Sequence, residues 1–185
     1  MKKFLSSIPN FLTFVNLCLG IIAILLTVQS DGNIYNHVYA SLLIMIAAII
    51  DRYDGIFARF FNATSDIGKE LDSLSDLISF GVAPIIIAWK ICFSTLGLPG
   101  YLLSIIYPMA GAYRLARFNA RAFEKKYTGM PITIAGAFLT VDNLFNAFSF
   151  IRADNYLPVA HRIITAVLII LFSFLMVSKI NIKKV

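Results

Sequence analysis

The chain has 185 residues, 59% of them hydrophobic and 14% charged, with a mean hydropathy of +0.81. A water-soluble domain of this size could not cover so much apolar side chain with polar surface, which excludes soluble enzymes and leaves a polytopic membrane protein. The net charge of +6 does not point to nucleic acid, because the basic residues are spread over short loops between apolar runs rather than gathered into a stripe.

Lys2 to Asn10 reads as a short amphipathic lead-in along the membrane interface, with Phe4, Leu5 and Ile8 apolar, and Pro9 ending it before the first span. Met1-Lys2-Lys3 could open a signal peptide, but no small-residue cleavage site closes the first apolar run and five more runs follow, so the segment is read as retained. The runs are Phe11–Val28, Val38–Ile50, Leu77–Cys92, Leu98–Ala116, Ile132–Ile151 and Ile163–Val177. Each approaches the roughly 20 residues a helix needs to cross a bilayer, once the polar ends of the second and third are included. The expected fold is all-α, with an interfacial lead-in at 1–10, six transmembrane helices within 11–179 and a basic tail at 180–185.

Ser30-Asp31-Gly32-Asn33 and Leu98-Pro99-Gly100 read as connecting turns on the outer side. Asn62, Thr64, Ser65 and Asp66 supply cap-competent residues ahead of Gly68, so the third helix is expected to start at the membrane surface. With a cytoplasmic N-terminus, Lys2, Lys3, Arg52, Arg59, Lys69, Arg114, Arg117, Arg121, Lys125, Lys126, Lys179, Lys183 and Lys184 fall inside, and Lys90, Arg152 and Arg162 outside. That bias turns the acidic residues of the second and third runs toward the cytoplasm.

Those acidic residues are the strongest signal in the chain. A carboxylate at the bilayer centre costs roughly 2.5–3.5 kcal/mol on insertion scales, so four uncompensated ones would cost on the order of 10 kcal/mol. Asp51 and Asp54, three residues apart, form one acidic edge at the end of helix two, continued by Gly55 and Ala58. Gly68, Asp72 and Asp76 line up in steps of four on helix three, with Ser75 and Ser79 alongside. The two faces can oppose each other and share cations. Oxygen-only ligands favour Mg²⁺, Mn²⁺ or Ca²⁺ over Zn²⁺, and four carboxylates suffice for two ions. The glycines at 55 and 68 leave room for a bulky group, such as a nucleotide, to approach the backbone.

The pattern D-x-x-D-G-x-x-A-R-x8-G-x3-D-x3-D, filled by Asp51, Asp54, Gly55, Ala58, Arg59, Gly68, Asp72 and Asp76, resembles the signature of the CDP-alcohol phosphotransferases. Gly111-Ala112-Tyr113-Arg114-Leu115-Ala116-Arg117-Phe118-Asn119 and Gly129-Met130-Pro131-Ile132-Thr133 are similar to segments of the small bacterial and archaeal members that form phosphatidylserine, as are Ile8-Pro9-Asn10, Thr13, Asn16 and Gly20. Arg52, Tyr113 and Thr133 depart mildly from that subgroup. The resemblance runs from about Ile8 to Lys179.

It implies a six-helix membrane fold, usually a homodimer in the cytoplasmic membrane, that transfers a phosphatidyl group from CDP-diacylglycerol to the hydroxyl of L-serine and releases CMP. It further implies metal ligation by Asp51, Asp54, Asp72 and Asp76, with Asp76 as the candidate base. CDP would contact Thr13, Asn16, Asp54, Gly55, Ala58, Arg59 and Gly68. Arg114 and Arg117, i and i+3 on one helix, are expected to grip the serine carboxylate or a lipid phosphate, with Asn119 nearby. Other acceptors, glycerol 3-phosphate or inositol phosphate, stay open, and a cation transporter built on the same aspartates is the reading from another class.

The remaining polar residues have plainer readings. Glu70 and Asp66 are assigned to helix N-terminal charge compensation. His37 and His161 are read as interface residues, and Cys18 and Cys92 as membrane-buried thiols without metal-ligand spacing. Asp142, in the middle of the fifth run with Asn143 and Asn146 nearby, needs a partner inside the bundle or at a dimer contact.

Overall fold

The computed structural model describes residues 8–60, 66–120, 129–153 and 156–178, without the side chains at 8, 9, 54, 57–60 and 66. The interfacial lead-in up to Ser7 and the basic tail at 180–185 lie outside the described residues. Among the described residues the chain is all-helical, with no strand. In chain order, α1 spans Ile8–Val28, α2 Ile34–Phe60, α4 Leu98–Ala120, α5 Ile132–Arg152 and α6 Val159–Val177. Between α2 and α4, α3 runs from Asp66 to Phe93 as alternating α-helical (Asp66–Asp76, Ala83–Ala88) and π-helical (Leu77–Val82, Trp89–Phe93) stretches.

Five of these helices are long and apolar enough to cross a membrane, over Asn10–Val28, Ile34–Tyr53, Ile67–Phe93, Ile132–Arg152 and Val159–Val177. Their outward faces carry large exposed apolar side chains, among them Leu25, Ile49, Phe145 and Phe174, as lipid-facing surfaces do. At 23 residues α4 has the length but is more polar, with Pro108 inside it and Arg114 and Arg117 near its end.

The expected Ser30–Asn33 turn is present: the Asn33 N–H donates to the Ser30 carbonyl at 2.5 Å, and Asp31 and Gly32 have φ of 36° and 85°. The second outer turn differs from expectation. It lies at Ser94–Gly97, with Gly97 at φ 61°, and Leu98-Pro99-Gly100 is the first turn of α4 rather than a connector. Proline suits that place because the first-turn N–H groups have no intrahelical acceptor to lose. For the same reason Pro9 does not separate a lead-in from a span; it belongs to the first turn of α1.

The centre of the bundle is α3, which contacts every other helix and buries Ser75, Ser79, Phe80, Gly81, Ile85 and Phe93 among others. Lipid tails are as apolar as leucine, so helices in a bilayer are held by close packing at small residues and by interhelical hydrogen bonds. Both occur here. Gly20 of α1 lies against Ser79, and Gly136 of α5 lies so close to Phe80 that a Cβ there would fall 2.6 Å from the Phe80 carbonyl oxygen. The hydroxyls of Ser75 and Ser79 donate to the backbone carbonyls of Thr13 and Asn16 at 3.1 and 3.0 Å. The π-helical stretch begins directly after Asp76 and resets the side-chain register, so one continuous helix carries acidic groups at one end and Phe80 and Ile85 in the core.

Asp142 finds its partners within the chain. It accepts hydrogen bonds from Thr165 Oγ1 at 2.6 Å and Asn146 Nδ2 at 3.1 Å, and Asn146 Nδ2 also reaches Thr165 Oγ1 at 2.9 Å. The two histidines read as interface residues both lie in first turns of helices and have surroundings within the bundle. His161 Nδ1 lies 3.0 Å from Asn146 Oδ1 and its ring stacks on Phe145, while His37 is buried in the first turn of α2.

Two outcomes follow for the purified protein in detergent, read by thermal unfolding. Gly136→Ala forces the α3–α5 contact apart and should cost about 1–3 kcal/mol, as overpacking does. Thr165→Val removes a donor from the Asp142 carboxylate and should cost about 1–3 kcal/mol, the usual penalty for a buried acceptor left unmatched. An unchanged midpoint in either variant contradicts the packing described here.

Candidate functional site

Asp51 from α2 and Asp72 and Asp76 from α3 each place a carboxylate oxygen within 4.8 Å of the others. The opposition of two acidic faces expected from the spacing is therefore present. Asp51 and Asp76 meet within hydrogen-bonding range. Thr133, at the start of α5, holds Asp51 from the other side, its Oγ1 lying 3.4 Å from Asp51 Oδ2. Asp76 is 9% exposed, and its buried Oδ1 has no hydrogen-bond partner.

Two like charges at that separation repel by about 3–4 kcal/mol even at an effective dielectric of 20. Among the described residues, Arg114, buried on α4, lies within electrostatic reach of Asp76 as a counter-charge. The donor set is all oxygen, the geometry convergent and one buried oxygen unmatched, which fits a hard divalent cation. Asp54 follows one turn after Asp51 on α2, as do Ala58 and Arg59 farther along; their side chains lie outside the described residues.

Space for a ligand lies beside α2. Gly55 is exposed, and a Cβ built there would meet nothing within 4 Å. Gly68 lies half-buried on α3, one turn before Asp72. On α1, Thr13 and Asn16 are buried on the face that packs against Ser75 and Ser79. The Asn16 side chain is 1% exposed, yet neither its amide nitrogen nor its oxygen has a hydrogen-bond partner. Leaving such a group unmatched costs about 1–3 kcal/mol, so it is suited to meeting a polar ligand.

The two arginines of α4 are separated by the fold. Arg114 turns into the bundle toward Asp76, while Arg117 donates to the carbonyls of Val177 (2.8 Å), Ser178 (3.2 Å) and Met176 (3.3 Å), capping α6. Cationic side chains are favoured at that helix end. Asn119 Nδ2 donates to Glu70 Oε2 and to Ser73 Oγ, both at 3.1 Å. Glu70 thus ties α3 to α4, which its reading as helix-end charge compensation did not include. Sequence reasoning also passed over Ser73, which sits inside the acidic motif. Thr133 was noticed only as a departure from the family pattern, although its place just after Gly129-Met130-Pro131 was a usable signal. That segment is pinned by the Met130 N–H to Leu175 carbonyl bond at 3.1 Å and by Gly129 at φ 83°.

Comparison with known proteins gives the family. Residues 6–184 match the profile of the family described as CDP-alcohol phosphatidyltransferase. The chain is 35% identical over 176 residues to a Bacillus subtilis protein named CDP-diacylglycerol–serine O-phosphatidyltransferase, covering 94% of this chain and 88% of that one. It is 36% identical over 180 residues to a protein of the same name from Methanocaldococcus jannaschii, covering 96% and 74%. An archaetidylserine synthase of Methanothermobacter thermautotrophicus is 30% identical over 184 residues, covering 97% and 70%. With its metal-competent carboxylates on two adjoining helices and a profile match over nearly its whole length, the chain belongs to the CDP-alcohol phosphatidyltransferase family.

Proposed function

We propose that this protein transfers a phosphatidyl group from CDP-diacylglycerol to the hydroxyl of L-serine, giving phosphatidylserine and CMP. The observation that carries the chemistry is the convergence of Asp51, Asp72 and Asp76 beside an open edge of α2. The choice of serine rests on the names of the relatives in bacteria and archaea. The protein acts as a homodimer in the cytoplasmic membrane and crosses it six times, α4 included. A 23-residue α4 is about 34 Å long, enough to span. The positive-inside bias orients the carboxylates toward the cytoplasm, where CDP-lipid headgroups and serine meet.

Asp51, Asp54, Asp72 and Asp76 would hold two divalent cations, Mg²⁺, Mn²⁺ or Ca²⁺. When bound, such ions neutralise the diphosphate and the charge that builds on departing CMP. The residues of the chain bind and orient. Thr133 steadies Asp51. Gly55, Ala58 and Gly68 leave room for the cytidine and its phosphates, Thr13 and Asn16 face it from α1, and Arg59 pairs with a phosphate oxygen. Asp76 accepts the serine hydroxyl proton on its buried carboxylate as the serine oxygen bonds to the lipid-side phosphorus and the bond from that phosphorus to CMP breaks. Arg114, set against Asp76, grips the serine carboxylate or the lipid phosphate, with Asn119 nearby. Arg117 serves that role through the end of α4 that it anchors to α6.

Asp76→Asn should lower turnover by roughly 10²- to 10⁴-fold, the range general-base removal covers, while CDP-lipid binding stays within a few-fold. Near-normal CMP release would exclude Asp76 as the base. Gly55→Leu should leave the thermal midpoint unchanged but raise the KM for CDP-diacylglycerol, since the added side chain fills space that a Cβ enters without contact. Chelation of divalent ions should abolish CMP release and lower the thermal midpoint, and added Mn²⁺ or Mg²⁺ should restore both. Cation flux through liposomes without any CDP-lipid cleavage would instead establish a transporter.

A further inference from the structure

Resting on the reading of Asp51 and Asp76 as metal ligands, we propose that Tyr107 is a positioning residue for the reaction: its hydroxyl, together with the Asn143 amide, holds α3 in the π-helical register that aims Asp76 at Asp51. The π-helical stretch Leu77–Val82 starts at the residue after Asp76, and at its end the Ala83 N–H reaches back five residues to the Ile78 carbonyl. Residue 84 is a proline, so the Phe80 carbonyl has no N–H four residues on from which to receive an α-helical bond.

Tyr107, on α4, brings a donor to that carbonyl. Its side chain is fully buried, and its hydroxyl donates to the Phe80 carbonyl at 3.3 Å. Four residues further along α3, the fully buried Asn143 of α5 donates through Nδ2 to the Pro84 carbonyl at 2.8 Å. The two bonds bracket the site of the missing N–H and come from different helices, so α3 cannot slide to another register without leaving buried carbonyls short of donors. Such a slip by one residue would turn Asp76 by about 100° around the helix axis relative to the core side chains that follow it, carrying its carboxylate away from Asp51. Asp51 is tied to the same stretch. A Cβ at Gly81 would lie 3.3 Å from Ile132 Cδ1, and Ile132 directly precedes Thr133, whose hydroxyl holds Asp51.

The test is Tyr107→Phe, which removes the hydroxyl and keeps the ring. Mn²⁺ binding to the purified protein in detergent is followed by the electron paramagnetic resonance of the free ion, and CMP release from CDP-diacylglycerol with L-serine is measured alongside. The variant should bind Mn²⁺ about 10-fold more weakly, and kcat should fall about 10-fold with the KM for serine within about twofold, the scale seen when the support behind a metal ligand is lost. Unchanged Mn²⁺ binding, or a loss carried by the serine KM, overturns the proposal whatever the thermal midpoint does, and leaves the hydroxyl as a packing bond alone. If Tyr107→Phe does not fold, Asn143→Leu, which removes the bond to Pro84, carries the same two measurements, and unchanged Mn²⁺ binding there again overturns it. A wild-type protein that binds no Mn²⁺ overturns the metal reading itself, and the positioning role with it; wild-type binding that the variants retain overturns the positioning role only.

Discussion

Three carboxylates forced within 4.8 Å of one another are the constraint on which the rest of the structure depends. In water such a group would spread apart; between packed helices it cannot do so without moving a helix, and Asp51 and Asp76 can hydrogen-bond to each other only by sharing a proton. Mutual repulsion of several kcal/mol between ionised carboxylates is offset by positive charge or by a shared proton. Arg114 supplies one such charge, and the buried, unmatched Asp76 oxygen marks where more is wanted. The all-oxygen donor set of this group fits a hard divalent cation.

Holding that cluster is a packing problem, and α3 solves it from the middle of the bundle. Small residues bring its neighbours in: Gly20 beside Ser79, Gly136 beside Phe80. Serine hydroxyls tie it to the α1 backbone where no hydrophobic force between helices is available. The π-helical stretch after Asp76 separates the register of the acidic end from that of the core, so the carboxylates can face α2 while the following turns pack against α4 and α5. Arg117 and the Met130 N–H fasten the end of α4 and the segment before α5 to the C-terminus of α6.

The two polar regions of the bundle are built on opposite terms. Around Asp142, donors from Thr165 and Asn146 meet the carboxylate, and His161 meets Asn146, so the network is largely complete within the chain and holds α5 to α6. Around Asp76 and Asn16, buried polar atoms are left without partners. Completed networks rigidify, whereas each buried polar atom left unmatched carries a desolvation cost that a partner would remove. The Asp142 carboxylate is thus matched within the chain, whereas an oxygen of Asp76 is not.

Much of this was legible in the residues alone. Apolar runs of bilayer length dictated an all-helical membrane fold, and the helical repeat put Asp72 and Asp76 in one stripe and Asp51 on a facing edge, because both depend only on local geometry. Helix ends were less legible. Leu98-Pro99-Gly100 and Pro9 look like breaks but sit in first turns, where proline costs no hydrogen bond. Apart from the opposed acidic faces, contacts between distant segments were not legible. Nothing local distinguishes Arg114, turned toward Asp76, from Arg117, spent on the end of α6, since their fates depend on which helices lie beside α4. Glu70 meeting Asn119, Thr133 reaching Asp51 and Thr165 reaching Asp142 are likewise decided by tertiary packing, because hydrogen bonds between helices require positions that only the assembled bundle sets.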